Sequence, residues 1–212
     1  MVPWKVKNGL SAGVPRVRAG DRDGVPMLLP DRAGPWTVDD VLALDEDASH
    51  RTEMVGGALL LTPRPGVAHQ RAAHRLAVLL EHAADGFEVL PAVNVNLGGR
   101  ALAIPDITVV HTAAAAGDRP FVDAADVLLA VEITTADTAV TDRITRPVLY
   151  AEAGIGHLWR LDLEPAPHLW VGALEGGAYT TVARVPAGRS ARIPAPLTVQ
   201  LDPAGLAAPP AR

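Results

Sequence analysis

The sequence contains no cysteine. This absence excludes disulfide bonds, thiolate zinc sites and cysteine nucleophiles within the 212 residues. A chain without cysteine also fits a reducing compartment, and we expect the protein in the cytoplasm.

Lysine is nearly absent as well. Lys5 and Lys7 are lysines, and all other basic residues are arginines, so beyond residue 7 no lysine is available for proton transfer or as a nucleophile. The net charge is −5, which gives no global basic field to attract nucleic acid. Binding to DNA would therefore need a local basic patch or a bound cation.

Long apolar runs are also missing. No stretch approaches the roughly 20 apolar residues of a membrane-spanning helix, and the first residues lack the apolar run of a signal peptide. We therefore expect no membrane partner. The sequence also has no P-loop, no dinucleotide-binding glycine pattern and no Ser–His–Asp arrangement.

The composition is that of a globular domain, since hydrophobic residues make up 49% and charged residues 20%. Residues 1–35 are rich in Gly, Pro, Arg and Asp without sustained periodicity, and we expect a flexible leader there. A DNA-touching arm and a mis-assigned start codon are open alternatives for this segment. We assign residues 36–205 to one domain and residues 206–212 to a frayed tail.

The apolar spacing predicts an α/β (α+β) fold. Residues 67–84 follow helical spacing, and the pair Gly56-Gly57 between two short apolar runs predicts a hairpin. Residues 87–97 and 101–111 predict a β pair, and residues 127–133 predict a strand buried on both faces. The order of these elements predicts a mixed central sheet flanked by helices.

Three carboxylates stand in or beside predicted strands. Asp106 leads into one apolar strand and Glu132 lies inside another, where an uncompensated carboxylate costs several kcal/mol. An Asp after a proline at a strand start can also simply hydrogen-bond the turn. Each is therefore either structurally paired or functional, and no basic residue lies near Glu132 in sequence to pair with it. Glu53, on the first hairpin strand, is the third candidate. Carboxylates that converge at strand ends suit Mg²⁺ or Mn²⁺.

An ordered set of motifs resembles a known family. The set is Glu53, Ile104-Pro105-Asp106, Val131-Glu132-Ile133, Asp142-Arg143, Arg146, Tyr150-Ala-Glu-Ala-Gly-Ile155 and His157-Leu158-Trp159, and the stretch with Thr62-Pro63, Pro65 and His69-Gln70 at the first long helix matches as well. It resembles the Uma-two family of putative restriction endonucleases, within the PD-(D/E)XK nuclease superfamily. The resemblance covers roughly residues 37–162 and implies a restriction-endonuclease-like fold.

The resemblance implies roles for these residues. Asp106, Glu132 and Glu53 would be the metal ligands and catalytic acids, with Mg²⁺ or Mn²⁺ as cofactor. The superfamily's usual lysine position is Thr134 here, and the family's alternative position, four residues before Tyr150, is Arg146. Arginine can hold phosphate charge but cannot act as a base. Arg146 and Tyr150 complete the expected catalytic set.

The predicted function is metal-dependent hydrolysis of phosphodiester bonds in DNA. The alternative is a catalytically weak or inactive relative that binds DNA or forms a homodimeric interaction module. His69 is placed near the site by the resemblance, but a surface or capping histidine is the preferred interpretation of this residue.

Overall fold

The computed structural model describes residues 6–7, 34–44 and 50–209. Fourteen strands lie in these ranges: β1 Val6–Lys7, β2 His50–Val55, β3 Ala58–Pro63, β4 Phe87–Pro91, β5 Val95–Gly98, β6 Ala101–Ala103, β7 Ile107–His111, β8 Val122–Asp123, β9 Val127–Thr134, β10 His157–Asp162, β11 His168–Glu175, β12 Ala178–Pro186, β13 Ala191–Ile193 and β14 Val199–Leu201. Four α-helices accompany them: α1 Val38–Leu42, α2 Val67–Glu81, α3 Arg146–Glu152 and α4 Pro203–Ala207. None of the helices in these ranges has the length and apolar character needed to traverse a bilayer.

The first six-stranded sheet has the order β1-β3-β2-β6-β5-β8. Strands β2 and β6 lie at its centre, and the register of the β2–β3 hairpin pairs Glu53 with Leu60. The hairpin turns at Gly56 and Gly57, both with positive φ, as the Gly-Gly pair predicts. A small apolar cluster that includes Trp36, Met54 and Leu102 packs this sheet against α1. Helix α1 begins after Thr37, whose hydroxyl accepts from the Asp40 amide in a capping box.

The second six-stranded sheet has the order β12-β11-β10-β9-β7-β4. Strands β9 and β10 run parallel, with Thr134 opposite Asp162 at their carboxyl ends. The other neighbours in this sheet pair antiparallel. Strand β9 is buried along nearly its whole length, as its apolar run predicts. The sheet is therefore mixed, in agreement with the predicted fold class.

Helices cover both faces of the second sheet. On one face, Leu76 and Leu80 of α2 pack with Leu129, Val131 and Ile133 of β9. On the other face, Tyr150 of α3 packs in a cluster with Ala130 and Leu158. Because alternate residues of a strand point to opposite faces, Glu132 shares the α3 face with Ala130.

Helix α3 is preceded by one π-helical turn, Thr141–Thr145. The α-helical part begins at Arg146, with Pro147 in its first turn, where the missing proline amide costs no hydrogen bond. The wider turn places Asp142 and Arg146 on the same side, with 3.4 Å between Asp142 Oδ1 and Arg146 Nε.

Two segments predicted as single strands are divided between the two sheets. Residues 87–97 form β4 in the second sheet and β5 in the first, and residues 101–111 form β6 in the first and β7 in the second. The chain changes direction at Ala92, which has φ +50, and at Pro105, which offers no amide to a ladder.

The ends of the chain carry short elements. Of the predicted leader, Val6–Lys7 form β1 and pair with β3, while most of its residues lie outside the described ranges. Near the other end, α4 buries Leu206, and Arg75 of α2 donates hydrogen bonds to the Gly205 and Leu206 carbonyls. Residues 210–212 also lie outside the described ranges.

Candidate metal and catalytic site

Four buried carboxylates gather between the two sheets and the π-helical turn, and we call them the acid cluster. Its members are Glu53, Asp106, Glu132 and Asp142, each no more than 5% exposed. Asp106 directly precedes Ile107, which pairs with Val131, so the antiparallel register places Asp106 opposite Glu132. The sheet topology thus brings together the two acids that the sequence predicts at neighbouring strand ends.

Both oxygens of Asp106 have protein partners. Its Oδ1 accepts from Arg51 Nη1 at 2.7 Å, and its Oδ2 accepts from the Ile133 amide at 2.8 Å and contacts His69 Nε2 at 3.0 Å. Burial alone would raise the pKa of Asp106, but the hydrogen bond and charge of His69, reinforced by Arg51, lower it below its ordinary 3.8. Asp106 is therefore an ionised, oriented carboxylate.

Arg146 joins the rest of the acid cluster. Its Nη2 donates to Glu53 Oε2 at 2.8 Å and its Nη1 donates to Glu132 Oε1 at 2.6 Å. The other Glu53 oxygen accepts from the Ile104 amide at 2.8 Å. Tyr150 donates to Glu132 Oε1 at 2.5 Å, so this oxygen accepts hydrogen bonds from both Arg146 and Tyr150.

Negative charge exceeds positive charge in this cluster. Burial raises the pKa of Glu132 well above its ordinary value, an effect that Arg146 opposes and Asp142 reinforces. Burial likewise raises the pKa of Asp142, again against the Arg146 charge. Arg146 is itself held cationic, because Glu132 and Glu53 outweigh burial and raise its pKa well above its ordinary value. The cluster therefore favours uptake of a proton or of another cation.

The sequence predicted Glu53, Asp106 and Glu132, but it assigned no role to Asp142 and missed the partners of these acids. The interpretation of His69 as a surface or capping histidine is wrong, because the side chain is buried against Asp106. Glu132 has a basic partner, Arg146, which lies 14 residues away on the following helix. Nothing in the sequence marked Arg51 as a partner of Asp106 apart from its position two residues before Glu53 on the same strand.

The acid cluster fits a hard divalent cation in ligand chemistry and in charge. Carboxylate oxygens are the ligands that Mg²⁺ and Mn²⁺ prefer, and the excess of negative charge favours cation uptake. The Arg146 guanidinium, however, holds one oxygen each of Glu53 and Glu132. Within the described ranges, no three acidic or histidine side chains surround a common position for an ion. A metal would have to compete with Arg146.

The contacts of Asp106 predict how the metal-free protein responds to pH. We expect Asp106→Asn to lower the free energy of unfolding at pH 7 by about 2 kcal/mol or more, the usual value of hydrogen bonds to a charged group. Since the folded pKa lies below the unfolded one, this stability is present above about pH 4 and disappears as the pH falls through the folded pKa. Urea unfolding in EDTA at pH 7 and pH 3 measures both values. Equal stability of the two proteins at pH 7 would contradict the assigned contacts.

Comparison with known proteins gives a family and a fold. A protein-family model described as Uma2, putative restriction endonuclease, matches residues 38–204. The crystal structure of a putative nuclease belonging to DUF820 from Anabaena variabilis is similar, with a TM-score of 0.61 and 17% sequence identity over 76% of this chain and 90% of that chain. No curated protein matches the sequence. The resemblance and the fold class predicted from the sequence are confirmed.

Proposed function

The chain belongs to the Uma2 family of putative restriction endonucleases, and from that membership we propose that it is an endonuclease that hydrolyses DNA with a bound Mg²⁺ or Mn²⁺ ion. One observation carries the proposal: four buried carboxylates with an excess of negative charge lie together between the two sheets and the π-helical turn. A folded protein retains such a cluster at a cost in stability, which a cation-binding function explains.

Asp106 and Glu132 would hold the ion, with Glu53 beside them. When bound, the ion would polarise a water molecule and neutralise charge on the scissile phosphate. Asp106 is suited to a ligand role because Arg51, His69 and the Ile133 amide fix its orientation and keep it ionised.

Arg146 and Tyr150 would act on the substrate. Arg146 carries a permanent charge in a buried site, so it can offset charge that develops on a phosphate, but it cannot take up a proton. Tyr150 presents its hydroxyl to Glu132, and burial raises its pKa well above 10, so it stays a hydrogen-bond donor at neutral pH. Both residues would therefore orient and stabilise rather than transfer protons.

A plasmid-nicking assay tests the proposal. We expect the wild-type protein to cleave supercoiled DNA with Mn²⁺ or Mg²⁺ and to stop in EDTA. Asp106→Asn and Glu132→Gln should each lose more than about a hundredfold, because even residues outside the ligand shell cost 10- to 100-fold in metal affinity or activity. Arg119→Ala, which removes an exposed arginine beside Asp123, is the matched control and should cleave like the wild type.

The bridging position of Arg146 supports a second candidate function. A guanidinium between Glu53 and Glu132 supplies a built-in counter-charge, which suits a catalytically weak relative that binds DNA or a second copy of itself. In that case the wild type and Glu132→Gln give the same background in the assay with either metal.

A further inference from the structure

A cavity of about 520 Å³ opens at the carboxyl ends of the parallel strands β9 and β10. It is lined by Thr134, Thr135, Ala136, Ala139, Arg143, Glu164 and Pro165. Its volume falls within the range of small-ligand sites, and the carboxyl ends of parallel strands are a recurring place for ligands in such sheets.

The cavity adjoins the acid cluster along two elements. Thr134 lies two residues after Glu132 on β9, so both side chains point to the same face of the strand. Arg143 lies three residues before Arg146, in the π-helical turn that also carries Asp142. A chain of nucleotides in contact with the acid cluster would therefore have its next phosphates within reach of the cavity.

One buried carboxylate behind the cavity is shared by three basic side chains. Asp162, 1% exposed, accepts from Arg143 Nη2 at 2.6 Å and from Arg160 Nε at 3.0 Å, and it lies 3.1 Å from His168 Nε2. The two arginines alone exceed the single negative charge of Asp162. This group is a local basic patch in a protein whose net charge is −5.

Arg143 is the member of the patch that can reach a ligand. Its side chain is 46% exposed and lines the cavity, whereas Arg160 is 13% exposed and packs on the Trp170 ring. Arg143 meets Asp162 through Nε and Nη2, and among the described residues its Nη1 has no hydrogen-bond acceptor. Asp162 thus fixes the orientation of the Arg143 guanidinium, whose Nη1 can still donate to an anion.

We infer that this cavity binds a backbone phosphate of the nucleic acid next to the scissile one, with Arg143 as the residue that contacts it. The inference rests on the proposed function, because it takes the substrate class from there. Glu164 stands at the exposed rim of the cavity and opposes the patch. The two side chains therefore give opposite expectations for the same ligand: Arg143 attracts the phosphate and Glu164 repels it.

The test is the affinity of a fluorescein-labelled 20-base-pair DNA duplex, measured by anisotropy over a salt series in EDTA and again with Ca²⁺. We expect Arg143→Ala to weaken binding roughly tenfold and to reduce the salt slope by about 1, as the loss of one phosphate contact does. Glu164→Gln should tighten binding by a few-fold. Arg119→Ala is the control, since Arg119 is 52% exposed and also paired with an aspartate.

Several outcomes overturn the inference. They are equal affinity and slope for Arg143→Ala and Arg119→Ala, no change in Glu164→Gln, and no binding of the duplex by the wild type in either condition. Arg143→Ala keeps Arg160 and His168 on Asp162, and a melting curve checks its fold. Glu164→Gln changes an exposed side chain and keeps the test decisive. Failure of the proposed function has a different signature, because the wild type then binds the duplex with the expected Arg143 effect but does not cleave plasmid.

Discussion

Arg146→Ala is expected to destabilise the metal-free protein by about 3–5 kcal/mol, the cost of leaving buried charges without their partner. Arg146 contacts Glu53, Glu132 and Asp142 at once, and its own side chain is only 8% exposed. Without it, the three carboxylates face one another in a buried site. Urea unfolding in EDTA at pH 7 measures the loss.

A divalent cation should restore much of this stability. The variant frees Glu53 Oε2, leaves Tyr150 as the remaining donor to Glu132 Oε1 and removes the competing charge, so Mg²⁺ or Mn²⁺ should bind it more tightly than the wild type. At a concentration 100 times the dissociation constant, the gain is about 2.7 kcal/mol. The expected observation is a larger metal-dependent rise of the melting temperature in Arg146→Ala than in the wild type.

Arg75→Ala is the control for this comparison. Arg75 holds the Gly205, Leu206 and Ala208 carbonyls at the end of the chain, so its loss should lower stability without creating any response to metal. An Arg146→Ala protein as stable as the wild type in EDTA would show that the guanidinium does not compensate the acid cluster. An equal metal response in both proteins would show that the ion binds away from Glu53 and Glu132.

The fold was largely predictable because its elements carry strong local signals. Helix α2, the β2–β3 hairpin and strand β9 begin and end within a few residues of their predicted bounds. Their signals are the helical spacing, the Gly-Gly turn and the apolar run. The assignment of short strands to two sheets was not predictable. Whether β5 pairs with β4 or leaves for another sheet is decided by one backbone angle at Ala92 and by packing far away in sequence.

Three of the four acids of the site were predictable, but Asp142 and the groups that compensate the cluster were not. A carboxylate in an apolar strand, such as Asp106 or Glu132, is conspicuous because burial penalises it. The groups that compensate it are ordinary arginines and histidines on other elements, 55 residues away for Arg51 and 37 for His69. Their pairing depends on tertiary contacts, which no local pattern records.

Arg146→Lys is the substitution expected to raise nuclease activity or leave it unchanged. Arginine forms two parallel hydrogen bonds with fixed geometry, and here Nη1 and Nη2 hold two different glutamates. A lysine ammonium is a single point charge on a flexible stem, so it cannot hold both carboxylates in this arrangement. The released carboxylate becomes available to a metal ion, and the positive charge near the phosphate is retained.

Metal affinity should therefore increase roughly tenfold, within the range by which groups around a metal site change it. Isothermal titration with Mn²⁺ measures the affinity, and nicking of supercoiled plasmid and cleavage of single-stranded DNA measure the activity. Arg75→Lys, a swap of the same kind away from the acid cluster, should change neither quantity.

Arg146→Ala completes the series. Like Arg146→Lys, it releases carboxylate from the guanidinium for the metal ion, but it leaves no positive charge near the phosphate. We expect it to bind Mn²⁺ at least as tightly as Arg146→Lys and to lose most cleavage. If Arg146→Ala cleaves as well as the wild type, Arg146 has no role in stabilising the phosphate. If Arg146→Lys binds Mn²⁺ no better than the wild type, the guanidinium does not compete with the ion. If the wild type and Arg146→Lys both match Glu132→Gln on every substrate, the acid cluster supports binding or assembly instead of hydrolysis.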